Sequence, residues 1–149
     1  MARGNADEWL RWGPALAAVL AARIAYAGLL HGPLVLTPLV YARFPTAMNS
    51  ALNLPALVTV EALVSLLLVA SFRMYFRGAR PEATAAALFG LWFGVLVYVP
   101  QNLLNGILLN PVRPPLVVTW ILAGLGSGVV SALACWWLAP TTSRGREIG

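Results

Sequence analysis

Apolar residues do not alternate along this chain; they gather in four long runs, over residues 14–41, 52–72, 83–109 and 115–138. A hydrocarbon layer about 30 Å thick requires roughly 20 predominantly apolar residues in helical form, and each run reaches that length. Unbroken runs point to helices, because barrel strands would alternate between lipid and lumen. The first run is interrupted by Arg23 and bends near Gly32-Pro33 and Pro38. The second carries Pro55 in its first turn and Glu61 near its middle, and the third carries Pro100 two-thirds of the way along. Pro14, Pro55 and Pro115 fall near expected helix starts, where a missing N–H costs little. The expected fold is an all-α polytopic membrane protein, an antiparallel four-helix transmembrane bundle. It forms one domain over residues 1–149, with short tails at 1–12 and 139–149.

Composition sharpens that picture. Of 149 residues, 60% are hydrophobic and 10% charged, against about 25% charged in a soluble domain, which excludes a water-soluble globule. All ten basic residues are arginines. With the N-terminus cytoplasmic, that side holds Arg3, Arg11, Arg73, Arg77, Arg80, Arg144 and Arg146, while the far side keeps only Arg43 and Arg113. This is a positive-inside pattern, and it places both termini in the cytoplasm. Trp9, Trp12, Tyr75, Trp136 and Trp137 fall at the cytoplasmic ends, as an aromatic belt requires. A cleaved signal peptide fits poorly, because Asp7 and Glu8 spoil a basic n-region and Arg23 would lie inside it. The net charge of +5 belongs with anionic headgroups. No basic helix face with interleaved aromatics offers a nucleic-acid site. The Arg-only, Ala/Leu-rich composition points to a GC-rich bacterial genome, hence to a bacterial inner membrane.

Two charges fall inside the runs. Arg23 lies eleven residues beyond Trp12 and Glu61 twelve before Arg73, so each sits roughly 17 Å from the cytoplasmic boundary. A lone charge there costs from about 3 to over 10 kcal/mol, whereas a guanidinium and a carboxylate can satisfy one another. An Arg23–Glu61 ion pair between the first two helices is therefore expected. A balanced pair can simply fix helix register, or it can mark a proton or substrate site. Glu61 is the functional candidate of the two, since Arg stays protonated.

The third run carries a stripe. Ala86, Gly90 and Gly94 recur every four residues, and Tyr98, Asn102 and Asn105 continue the face with Gln101 beside it. Small residues allow close helix approach, while amides require hydrogen bonds away from water. A tight cytoplasmic half and a wider polar outer half follow, with Pro100 kinking the helix between them. His31, Asn49, Asn53 and Thr119 reach the same level, giving an outer vestibule. Its ligand-binding or pathway candidates are Arg23, Glu61, His31, Tyr98, Gln101, Asn102 and Asn105. Interhelical hydrogen bonding with no ligand is the plainer alternative, and His31 beside Gly32-Pro33 can simply cap a bent helix.

In the fourth run Gly124 and Gly128 form a small-xxx-small pattern, with Gly126, Ser127, Ser131 and Cys135 nearby. Ala18, Ala22 and Ala25 thin one face of the first. Internal packing is one use of such residues. The other is contact with a second copy or another membrane protein through Ala86, Gly90, Gly94, Gly124 and Gly128. Cys135 reads as a packing residue, with acylation the alternative. With one His and one Cys, the chain supplies no metal cage, bis-histidine haem site or dithiol. Phosphate loops, metal motifs and a Ser-His-Asp set are also lacking, so no catalytic residue and no cofactor is expected and the reading leans away from an enzyme.

Leu29-Leu30-His31-Gly32 echoes Leu103-Leu104-Asn105-Gly106, a short match consistent with parallel repeats. His31-Gly32-Pro33 closes the first run, and Arg113-Pro114-Pro115 precedes a Gly-rich last run ended by Trp136-Trp137. In these features the chain resembles the small four-span bacterial integral membrane proteins grouped as families of unknown function, which implies a four-span fold and no particular activity. The functional expectation is a small membrane protein that binds or passes a small polar or amphiphilic molecule through an outer-facing cavity. A non-catalytic accessory or scaffolding subunit of a membrane complex is the alternative, and an intramembrane enzyme acting on lipid ranks last.

Overall fold

A computed structural model of the chain describes residues 2–31, 54–77, 80–108 and 114–140. It contains four helices: α1 (Ala2–His31), α2 (Leu54–Tyr75), α3 (Ala83–Leu108) and α4 (Pro114–Leu138). No strand occurs among the described residues. All four helices are long and apolar enough to cross a membrane, over Leu10–Leu30, Val58–Tyr75, Ala83–Leu104 and Pro114–Leu138.

Boundaries follow the apolar runs closely for three helices. Pro55 and Pro115 are each the second residue of their helix, where the ring replaces an N–H that has no partner. The first helix departs from the pattern. It begins at Ala2, well before the apolar run, so Pro14 lies inside it and deletes one backbone hydrogen bond. Residues 32–41 of the expected first span lie outside the described residues, as do Asn49 and Asn53.

α4 packs on each of the other three helices, and α1 also packs on α2. The closest approach is between α3 and α4. A Cβ added at Gly90 would strike the Gly128 carbonyl oxygen, and one at Gly128 would strike that of Gly90. One turn along, a Cβ on Gly94 would come within 3.1 Å of the Leu125 Cα. Ala86, Gly90, Gly94, Gly124 and Gly128 are all buried within the chain, and Gly90 and Gly94 of α3 face the stretch from Gly124 to Gly128 on α4. On α1 the expected thin face is only partly covered: Ala18 and Ala22 are half-buried and Ala25 is exposed. The buried stripe is Trp12, Ala15, Val19 and Arg23, three to four residues apart as a helix face demands.

One end of the molecule is filled by aromatic rings. Phe72 sits edge-on to Trp12 and Phe89, with ring centroids at 6.5 and 5.4 Å, and the Phe76 ring lies tilted against it at 4.7 Å. Trp12 is thus a core residue, although its position suggested an interfacial belt; Tyr75 and Trp137 remain exposed. Leu68, Val69, Ala86, Phe93, Cys135 and Ala139 complete this core. Beyond α2, Arg77 takes a left-handed backbone (φ 51°) that turns the chain. Trp136 then donates its indole N–H to the Pro81 carbonyl at 2.7 Å, and the Arg80 guanidinium lies 4.4 Å over the Trp136 ring centroid. These contacts tie the α2–α3 connection to the last turn of α4.

Polar side chains within the helices mostly serve their own backbone. Ser65 donates to the Glu61 carbonyl, Ser131 to that of Ser127, Thr59 to that of Pro55 and Thr119 to that of Pro115, all at 2.6–2.9 Å. Each bond reaches back four residues, satisfying the hydroxyl without a second helix.

Candidate functional site: a polar cavity among four helices

Arg23 extends the buried stripe of α1, and its charge is matched from α2. The Arg23 Nε–H donates to Glu61 Oε2 at 2.6 Å and Nη2 lies 2.5 Å from the same oxygen. The arginine is 2% exposed and the glutamate side chain 17%. The pair expected from matched depth is therefore present, in a side-on arrangement that spends two guanidinium nitrogens on one carboxylate oxygen. The third nitrogen, Nη1, is buried and has no hydrogen-bond partner.

A cavity of about 230 Å³ opens beside this pair. α1 lines it with Arg23, Tyr26 and Ala27, α2 with Glu61, α3 with Tyr98, Gln101 and Asn102, and α4 with Trp120, Ala123, Gly124 and Ser127. Tyr98 is central to its geometry. The Tyr98 ring lies against Gly124, where a Cβ would overlap the root of the side chain. Its centroid is 5.7 Å from the Arg23 Cζ, within cation–π range. The Tyr98 hydroxyl is buried and, like Arg23 Nη1, has no partner. Asn102 donates to the Tyr98 carbonyl at 2.8 Å, a bond within α3 in place of the interhelical one expected for the amides. Tyr26 projects its hydroxyl onto Gly126 of α4, where a Cβ would meet it unless the ring shifted.

Five of the seven residues singled out from sequence line this cavity: Arg23, Glu61, Tyr98, Gln101 and Asn102. Gln101 is exposed and stands at the rim. His31 and Asn105 lie on α1 and α3, but their side chains are outside the described residues. Thr119, placed at the same level from sequence, turns its hydroxyl to its own helix, and the cavity takes its neighbour Trp120 instead. Tyr26, Ala27, Trp120, Ala123 and Ser127 were not anticipated. A signal for them existed: Trp120, Ala123, Gly124 and Ser127 recur at helical spacing, and Tyr26 follows Arg23 by three residues, which puts both on one face.

No group of three or more His, Cys, Asp or Glu side chains suited to a metal ion occurs among the described residues. The chemistry at hand is one balanced ion pair, two buried donors without acceptors, and amide and aromatic walls. Compared with protein-family models, curated proteins and solved structures, the chain matches none.

Proposed function

We propose that this is a small integral membrane protein whose four helices cross the bilayer as an antiparallel bundle and enclose a binding cavity for a small polar or amphiphilic molecule. Membrane insertion is supported by an inverted surface. Large apolar side chains such as Leu63, Leu67, Leu88, Trp92, Leu96 and Leu122 are exposed, while Arg23, Ser65, Asn102 and Ser131 are buried. Contiguous exposed apolar surface of this kind exceeds what a soluble monomer carries. Alternating helix direction is supported by register. Trp12 meets Phe72 and Arg23 meets Glu61, eleven residues apart on each helix and in opposite chain senses. The arginine bias favours a bacterial inner membrane with both ends cytoplasmic. In that orientation the aromatic core occupies the inner half and the cavity faces the outer half.

The observation that carries the binding reading is that two residues lining a cavity built by all four helices, Arg23 and Tyr98, each hold a buried donor atom without a partner, Nη1 and Oη. Buried donors are nearly always satisfied, and a bound molecule would satisfy both. Passage of the molecule along the cavity is the transport form of the same reading. The test is native mass spectrometry of protein extracted from its own membrane. The wild type is expected to retain an added small-molecule mass that Glu61→Gln and the cavity-filling Ser127→Leu lose, with helicity unchanged. Undiminished mass in Glu61→Gln removes the carboxylate from the site. A bare wild type that instead co-purifies with a stoichiometric second protein favours the accessory-subunit reading.

A further inference from the structure

We infer that the cavity recognises an uncharged hydrogen-bond acceptor, a carbonyl oxygen on a compact body of about ten non-hydrogen atoms. This rests on the binding reading above and names the ligand's chemistry. Three observations lead to it. First, the leftover groups can both donate: Nη1 of Arg23 carries two N–H bonds and only donates, the Tyr98 hydroxyl has an O–H to give, and neither atom has a partner. Second, the charge on the walls is already balanced. Arg23 and Glu61 are the ionisable cavity residues at neutral pH, and they neutralise each other at hydrogen-bond distance. An anion entering here would add a net negative charge beside an already balanced pair, at a desolvation cost that a neutral molecule does not bear. A neutral acceptor takes up both donors without disturbing the pair. Third, the size is limiting. A cavity of roughly 150 Å³ accommodates benzene, so 230 Å³ holds a single ring with a small substituent. Tyr26, Tyr98 and Trp120 give the cavity an aromatic lining for such a body, with the small residues Ala123 and Gly124 beside them.

The acceptor has two sources, a free carbonyl compound dissolved in the membrane or the ester carbonyl of a lipid dipping into the cavity. Both share the recognised group.

The test uses full-length protein in lipid nanodiscs, labelled with 5-fluorotryptophan, with the Trp120 fluorine resonance assigned from Trp120→Phe. Three probes of closely similar size are titrated: acetophenone (neutral carbonyl), benzoate (anion) and α-methylstyrene (same shape, no acceptor). Acetophenone is expected to shift the Trp120 line saturably, at least about tenfold more tightly than α-methylstyrene, as expected for an acceptor that gains hydrogen bonds from two donors. Benzoate is expected to produce no shift over the same range. Tyr98→Phe, which removes only one of the two donors, is expected to weaken acetophenone several-fold while leaving α-methylstyrene unchanged. Tighter binding of benzoate than acetophenone overturns the inference in favour of an anion site. Equal binding of acetophenone and α-methylstyrene, or no saturable shift with acetophenone, overturns it as well. Repeating the spectrum in diether lipid separates the sources. A Trp120 line that moves when ester carbonyls are absent assigns the acceptor to lipid, and an unmoved line with saturable acetophenone binding assigns it to a free molecule; both results keep the chemical class. Should the probes fail while native mass spectrometry still finds a mass lost in Ser127→Leu, this inference falls and the binding reading stands.

Discussion

Arginine keeps its proton under nearly all conditions, whereas a glutamate in an apolar setting can take one up. The two halves of the Arg23–Glu61 pair therefore respond differently to loss of the other. Glu61→Gln leaves a guanidinium that is 2% exposed with no counter-charge, and is expected to destabilise the fold by about 3 kcal/mol. Arg23→Gln leaves a carboxylate that is 17% exposed, less buried than the arginine, so it is expected to cost less. The double variant Arg23→Gln/Glu61→Gln removes both charges and is expected to recover most of the loss. Helicity followed through a detergent denaturation series orders the three. Equal losses for the single variants with no recovery in the double would show that the pair contributes nothing through charge. Matched depth on successive apolar runs made this pair legible before any coordinates. The roles of Tyr26 and Trp120 were not legible in the same way. Aromatic residues in a membrane run serve lipid and core equally well, and only the positions of neighbouring helices separate the two.

Among the helices, α3 and α4 are fitted by what their glycines lack. Gly90 and Gly128 each face the other's carbonyl oxygen, and backbone cannot rotate aside as a side chain can. Gly90→Ala or Gly128→Ala is accordingly expected to destabilise by about 1–3 kcal/mol or more through overpacking. Gly94→Ala meets its neighbours at 3.1–3.4 Å and should lose less. Gly28, inside α1 with nothing within 4 Å, should accept alanine with no loss, or with a gain of up to about 1 kcal/mol from helix propensity. Thermal unfolding in one detergent compares all four, and a uniform response would refute the packing argument. The small-residue stripe from Ala86 to Gly94 could be read from spacing alone, since recurrence every four residues defines a face. Its partner could not. Gly124-xxx-Gly128 suits an internal neighbour and a second molecule equally, and the choice depends on which faces the connecting segments bring together. The start of α1 was misplaced for a related reason. Pro14 resembles a first-turn proline when read locally, yet it tolerates an interior position once flanking turns are in place.

For the whole molecule, Cys135 reports on integrity. It is fully buried in the aromatic end of the core, and buried structural thiols are inert. A membrane-permeant maleimide is expected to label it slowly in native protein and rapidly after denaturation, with Gly90→Ala intermediate. Fast labelling of native protein would contradict the packing at that end.

One feature of the architecture reaches into how the protein is made. α4, the helix that touches all three others, leaves the ribosome after them, and Trp136 near its end supplies the indole that fastens Pro81. Until that helix arrives, α3 has no counterpart for its glycines and the α2–α3 connection has no latch. Assembly is thus held back until α4 has been made, and chains stopped at residue 113 should be cleared by membrane proteolysis far faster than chains that include it, which pulse-chase labelling would show.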